Sequence, residues 1–283
     1  MQKSFSISLI IIFLIFPFSR MCLAAPIDLR EGDLDSGEID TQCVFGDHRE
    51  NCRFDSGSEA TDVTESPSFM KFPSEGKATQ GGASGISINC NWITVPSFTG
   101  ADIELKMHQV KRCPISRSVL GIEAFQGSTL LDFDNRLLIS SQVPLDNTAQ
   151  ETRFTLAPMG QIILPLTFMG QIDAGVWDTG AALTSVDLNF LKEHSNQFSF
   201  LQDIDGGTDY TGKPVTIKLY QVESITVAGV EFKNLKVLAF DFSNVRAGVG
   251  HDTHFILGYN IIRKMNWMID LRTRRWKATA VEK

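Results

Sequence analysis

The chain has 283 residues, 43% of them apolar and 21% charged, a balance that fits one large or two modest globular domains. Its 33 acidic side chains against 26 basic ones give a formal charge of -7, which argues against an extended nucleic-acid surface. With 20 Phe, 3 Tyr and no heptad or Ala/Glu/Lys-rich stretch, the composition excludes collagen and coiled coil and favours β-structure.

Lys3, the apolar run over residues 7–18 and Cys22-Leu23-Ala24 have the layout of a secretory signal peptide, residues 1–24, with cleavage expected after Ala24. An apolar core of about 12 residues is short of the roughly 20 needed to span a bilayer, so stable membrane insertion is not expected; an uncleaved anchor is the rival reading. Export implies a periplasmic or extracellular location. Residues 25–38 are acidic and are expected to form a flexible segment. A first lobe is expected over 39–143, a linker over 144–158 with Pro144, Asp146 and Asn147, and a second lobe over 159–283.

Four cysteines remain beyond the leader: Cys43, Cys52, Cys90 and Cys113. An even number in an exported chain suggests two disulfides, with three pairings possible. Residues 163–168 and 172–177 read as a hairpin turning at Met169-Gly170. A matching hairpin runs up to Phe45, turns at Gly46-Asp47 and returns to Phe54, with Cys43 and Cys52 on opposite strands. Cys90 and Cys113 flank the next strand pair, which favours Cys43–Cys52 and Cys90–Cys113. A zinc site on the same four is the rival, but no C-x-x-C occurs and no metal is expected.

Short alternating apolar runs separated by Gly, Pro, Asn and Asp predict an all-β chain. One short helix is expected after Asp187, which is placed as its N-cap, with Leu188, Phe190 and Leu191 on one side.

The two halves repeat each other. Phe54-Asp55-Ser56-Gly57 answers Trp177-Asp178-Thr179-Gly180, and in both a Thr and a Val follow six and eight positions after the Asp. Trp92-Ile93-Thr94-Val95 is set against Ser224-Ile225-Thr226-Val227, and Ser118-Val119-Leu120-Gly121 against Phe255-Ile256-Leu257-Gly258. An acidic residue in an apolar run follows each Gly, Asp132 in one half and Asp270 in the other. From Asp to the later Gly there are 66 residues in the first half and 80 in the second, so loops differ while the skeleton persists.

A Gly after the hydroxyl residue permits a tight loop and close backbone approach, and the hydroxyl can bond across to the other half. If the halves pack about a pseudo-twofold axis, Asp55 and Asp178 meet there. Two charged carboxylates at ~3 Å repel by roughly 5 kcal/mol at an effective dielectric of ~20, about four pKa units, so the pair would hold one proton over a wide pH range. The ionised member could activate water, and the protonated member could bond a substrate carbonyl and later protonate a leaving amine.

These motifs resemble the aspartic peptidases of the pepsin and retropepsin clan. The resemblance covers roughly residues 39–141 and 160–276, and the second half is closest to the retropepsin-like type through Trp177-Asp-Thr-Gly-Ala and Ile256-Leu-Gly-Tyr-Asn-Ile-Ile. It implies a bilobal, pepsin-like all-β fold of two homologous β-barrel lobes with pseudo-twofold symmetry. It also implies hydrolysis of a polypeptide substrate by activated water, and no metal or organic cofactor. Asp55 and Asp178 would be catalytic, with Ser56, Gly57, Thr179 and Gly180 as the supporting loops. β-Hairpin flaps would cover the cleft, at residues 79–85 with Gly81 and Gly82, and at residues 205–212 with Gly206, Gly207 and Tyr210. Pepsin-like enzymes carry a flap tyrosine in the first lobe; here that segment has none, and Tyr210 of the second lobe is the candidate.

Other features have plainer readings. Asp35-Ser36-Gly37 lacks a preceding strand and is set aside as a site. Arg53 is expected to point to solvent. His251 and His254 read as loop residues, Asp203, Asp205 and Asp209 as turn residues, Trp92, Trp177, Trp267 and Trp276 as core or interlobe filling, and Asp132 and Asp270 as structural acceptors. The sequence therefore favours an exported, monomeric aspartic endopeptidase. A catalytically silent peptide-binding or inhibitor module on the same fold is the alternative, and a second lobe active as a dimer is a third reading.

Overall fold

The computed structural model describes residues 24–100, 103–125, 127–141, 152–204, 207–250 and 252–282. Residues 1–23 of the expected leader, the core of the expected linker, Asp205, Gly206 and His251 lie outside the described residues. The chain is all-β. The first half contributes β1 (Ala24–Glu31), β2 (Gly37–Phe45), β3 (His48–Phe54), β4 (Asp62–Thr64), β5 (Gly76–Gly81), β6 (Ser87–Gly100), β7 (Ile103–Cys113), β8 (Val119–Leu120), β9 (Ser128–Asp132) and β10 (Leu137–Ser141). The second contributes β11 (Thr152–Arg153), β12 (Thr155–Leu156), β13 (Ile162–Phe168), β14 (Gln171–Trp177), β15 (Ser185–Asp187), β16 (Phe198–Ile204), β17 (Ile217–Val227), β18 (Val230–Phe240), β19 (Phe255–Leu257), β20 (Met265–Asp270) and β21 (Arg275–Ala280). Among the described residues four short α-helices accompany the strands: α1 (Pro67–Met70), α2 (Leu188–Glu193), α3 (Ser243–Val249) and α4 (Tyr259–Ile262).

The internal repeat is visible in the strand pairings. In the first half β2-β3-β8-β4-β7-β6 follow one another and β6 returns to β2, closing a ring; β13-β14-β19-β15-β18-β17 do the same in the second half. Even the parallel steps coincide: β3 with β8 and β4 with β7 answer β14 with β19 and β15 with β18. Phe54 lies opposite Leu120 as Trp177 lies opposite Leu257, so the residue before each aspartate packs beside the later Leu-Gly. Left-handed residues recur at equivalent places, Met107 (φ 50°) with Asn234 (φ 51°) and Arg136 (φ 55°) with Arg274 (φ 54°).

One repeat element sits elsewhere than its sequence pattern indicated. Val44 pairs with Thr99 where its equivalent Thr167 pairs with Thr226, and the hairpin tips Gly100–Ile103 and Val227–Val230 also coincide. Thr226 therefore corresponds to Thr99, not Thr94. β6 is a long strand whose buried parity switches around Pro96, from Ile93 and Val95 to Phe98 and Gly100, so alternation alone offers no unique anchor along it.

The stretch expected to be flexible, residues 25–38, is instead built into the sheet. β1 pairs with β10 on one side and β2 on the other, burying Ala25 and Ile27 on one face while Arg30 bonds Asp40 at 2.7 Å. Its many charges obscured a period-two pattern that is only three apolar residues long. Of the expected linker, residues 152–153 pair with β21 and 155–156 with β13. The order β11-β21-β20-β9-β10-β1 makes a sheet drawn from both halves, so the two rings share a continuous base. Trp177, Trp267 and Trp276 are fully buried in succession there, with ring centroids 5.8 and 5.9 Å apart.

Both disulfides form as favoured. Cys43 and Cys52 sit diagonally across the β2–β3 hairpin, with Cα atoms 6.0 Å apart, and Cys90 faces Cys113 across β6–β7 at 4.4 Å. They fit an oxidising, exported setting. No helix among the described residues is long and apolar enough to cross a membrane. α2 begins after Asp187, whose Oδ2 accepts from the Phe190 amide at 3.2 Å, as its N-cap position predicts.

Candidate active site

Each aspartate sits at the end of the inner hairpin strand, just where the chain leaves β3 or β14 for a tight loop. The two loops interlock. The Thr179 hydroxyl donates to the Phe54 carbonyl at 2.9 Å and accepts from the Ser56 amide at 2.9 Å. Reciprocally, the Ser56 hydroxyl donates to the Trp177 carbonyl at 2.8 Å and accepts from the Thr179 amide at 3.0 Å. All four groups are buried and satisfied, so a single hydroxyl from each half supplies two bonds across the junction. Ser therefore does in the first half what Thr does in the second.

Gly57 and Gly180 are dictated by the opposite carboxyl. A Cβ on Gly57 would lie 2.7 Å from Asp178 Cγ, and one on Gly180 would lie 2.2 Å from Asp55 Cγ. The later glycines serve the same loops: a Cβ on Gly121 or Gly258 would lie 2.4 Å from the backbone carbon of Ala60 or Leu183. Their amides donate to the Thr61 and Thr184 hydroxyls, both at 3.2 Å, which explains the threonine six positions after each aspartate.

Asp55 and Asp178 face one another across the junction, each carboxyl packed against the glycine of the opposite loop. Asp55 Oδ1 also accepts from the Gly57 and Ser58 amides at 2.9 and 3.1 Å, and Asp178 Oδ1 from the Gly180 amide at 2.9 Å. Burial raises both carboxyls above the usual range. For Asp55 the nearby Arg53 guanidinium and the loop amides oppose that rise. For Asp178 the charge of Asp55 adds to it, so Asp178 stands well above its ordinary value. The two carboxyls titrate as one coupled, buried pair, and burial together with their mutual charge favours retention of a proton by the pair.

Arg53 does not simply face solvent. It is ion-paired with Glu38, its Nε is buried without a hydrogen-bond partner, and burial lowers its own pKa. Asp35, by contrast, lies away from the pair and bonds Arg263 at 3.2 Å.

The two segments expected as flaps are hairpin tips that touch one another. β5 and β6 carry Gly81 and Gly82 at one tip; β16 and β17 carry Gly207 and Tyr210 at the other. Asp209, read from the sequence as a turn residue, joins them. Its Oδ2 accepts from the Ser84 amide at 3.0 Å, and its Oδ1 from the Thr211 amide and hydroxyl at 2.9 and 2.6 Å. Burial alone would raise this carboxyl, but those donors together hold it below the ordinary value. A Cβ on Gly82 would lie 2.0 Å from Asp209 Oδ2, and Ala83 packs, partly buried, against an apolar cluster of the second half that includes Phe242 and Val249.

Three polar residues near the pair escaped the sequence reading. Asp62 is fully buried seven residues after Asp55 and accepts from the Tyr210 hydroxyl at 2.8 Å. Burial pushes its carboxyl up to about 7, although Lys111 and Tyr210 oppose the rise. Burial and the charges of Asp62 and Asp55 keep the Tyr210 phenol protonated. Lys111, 1% exposed, pairs with Glu59 and donates to Gln80 Oε1 at 2.8 Å. Glu123 accepts from the Thr61 amide, as Asn260 does from Thr184 at 2.8 Å. The available signal was the repeat itself, because each of these stands where the other half carries a different residue type.

The remaining candidates have structural roles. His254 Nδ1 lies 3.0 Å from Asp173 and its ring stacks on Phe190 at 4.2 Å. Asp132 and Asp270 accept from backbone amides of the turns that follow them, at Asn135 and at Arg272 and Thr273. Among the described residues no three His, Cys, Asp or Glu side chains gather as metal ligands. Models of known protein families and curated proteins, when searched, give no match to this chain.

Proposed function

We propose that the chain is an exported aspartic endopeptidase of bilobal, pepsin-like build, each strand ring a retropepsin-like barrel lobe, acting as a monomer on polypeptide substrates. The observation that carries this reading is the contact between Asp55 and Asp178 on two copies of one loop, locked to each other by Ser56 and Thr179. Arg53 favours the ionised form of Asp55, so Asp55 is the base that takes a proton from a water lying against both carboxyls. Asp178 holds the proton, bonds the substrate carbonyl oxygen as it becomes tetrahedral, and the proton then passes to the leaving amine. The loop amides of Gly57, Ser58 and Gly180 fix both carboxyls, so little reorganisation accompanies the reaction.

The test is digestion of an unfolded protein from pH 3 to 8 with mass analysis of the fragments. Cleavage is expected to extend above the usual carboxylate range, because both members of the pair are raised, and to fade once the shared proton is lost. The silent binding module draws its support from the touching hairpin tips, where Ala83 packs against an apolar cluster of the second half. Tight peptide binding with no new amino termini at any pH would favour it.

A further inference from the structure

We infer that Tyr210 and Asp62 are positioning residues that clamp the second-half flap across the cleft, an inference that rests on the hydrolase reading for its effect on turnover. The two residues are 148 positions apart, yet the Tyr210 hydroxyl donates to Asp62 Oδ2 at 2.8 Å. Asp62 belongs to β4, which continues directly from the Asp55 loop, so this bond ties the flap to the floor beside the carboxyl pair. Asp62 Oδ1 is buried with no hydrogen-bond partner, which leaves Tyr210 as the group that satisfies this carboxylate. The adjacent residue, Asp209, accepts from the Ser84 amide of the other flap. Two consecutive side chains therefore reach from one hairpin tip to the floor and to the opposite flap.

The first-half flap has no tyrosine to do this work, and the second-half equivalent of Asp62 is Ser185. The clamp is thus built once, in one direction, from second half to first. Gln80 on the first-half flap strand accepts from Lys111, whose position in β7 is paired with Asp62, so both flaps are tied to the same corner of the first half. A substrate strand held under such a strap would gain binding in both ground and transition states, which appears in KM more than in kcat.

The experiment compares wild type, Tyr210→Phe, Asp62→Leu, which keeps the bulk without an acceptor, and the double variant on a fluorogenic unfolded protein. Hydrogen exchange of the Thr208–Thr211 and Ser84 amides is followed in the same full-length proteins. Tyr210→Phe keeps the ring and removes only the hydroxyl. Each single variant is expected to raise KM about 10-fold with kcat within about twofold, since the buried hydrogen bond between flap and floor is lost. The double variant should do no worse than the singles, and the flap amides should exchange about 10-fold faster. Unchanged KM and exchange in Tyr210→Phe, or additive effects in the double, would overturn the clamp while leaving hydrolysis intact. If wild type cleaves nothing, the hydrolase reading falls and the exchange rates alone decide whether the clamp exists.

Discussion

Seven residues after Asp178 the second half carries Ser185, paired with Leu238; in the same places the first half carries Asp62 and Lys111, both buried. Asn260 in one half corresponds to Glu123 in the other, and Val176 to Arg53. Two disulfides brace the first half and none braces the second. Yet the elements that hold the two aspartates differ hardly at all: the hydroxyl bonds across the junction and the amide bonds to the later threonines match to within 0.1 Å, and each loop carries a glycine packed against the opposite carboxyl. The lesson is a division of labour. The frame that brings the acids together is held the same in both halves, while the charges around it have diverged to make one acid unlike the other.

The largest expected effect concerns the buried acid that has no counterpart. Asp62 is raised to about 7 from an ordinary value near 4, so between those limits the folded chain binds more protons than the unfolded one. Its contribution is complete below about pH 4 and declines as pH rises through 7, by about 4 kcal/mol in all. Asp62→Asn should flatten the dependence of thermal stability on pH over that range, whereas Ser185→Ala should leave it as in wild type. Equal slopes in wild type and Asp62→Asn would erase this difference between the halves.

Replacing either disulfide by alanines comes next. Sequence separations of 9 and 23 residues give about 3 kcal/mol each from chain entropy. Urea unfolding should register that loss, and hydrogen exchange should localise it to β2, β3, β6 and β7 rather than to the second half. Smaller still, and the sharper test of symmetry, are Ser56→Ala and Thr179→Val. Each removes one hydroxyl that makes two buried bonds, at a cost of about 2 kcal/mol, and the two costs should agree within about 1 kcal/mol. A much larger loss for one of them would show that the junction is not reciprocal.

Much of this frame was legible in the sequence because short, rigid elements carry it. The Asp-Ser/Thr-Gly loops, the hydroxyl bond across the halves, the later Leu-Gly and both disulfide pairings depend on residues fixed by tight turns and close backbone contact. What was missed depends on long-range placement. β6 slid by five positions because a long alternating strand has no internal landmark. β1 was hidden by its charges, which face outward or find partners such as Asp40. Asp62, Lys111 and Glu123 are polar residues in strand-like or loop-like surroundings, where the default expectation is solvent; only the fold brings Tyr210 to Asp62. Asp209 likewise has turn composition, and nothing local shows that its carboxylate reaches the other flap.

The central claim is that the two halves contribute one acid each to a single reaction. The most direct measurement is hydrolysis of an unfolded protein by Asp55→Asn and by Asp178→Asn, assayed separately beside the folded wild type. Loss of at least about 1,000-fold in both, with native thermal unfolding retained, is the predicted result. Full activity in either variant would contradict it; survival in Asp55→Asn alone would mean that the second half works without the first.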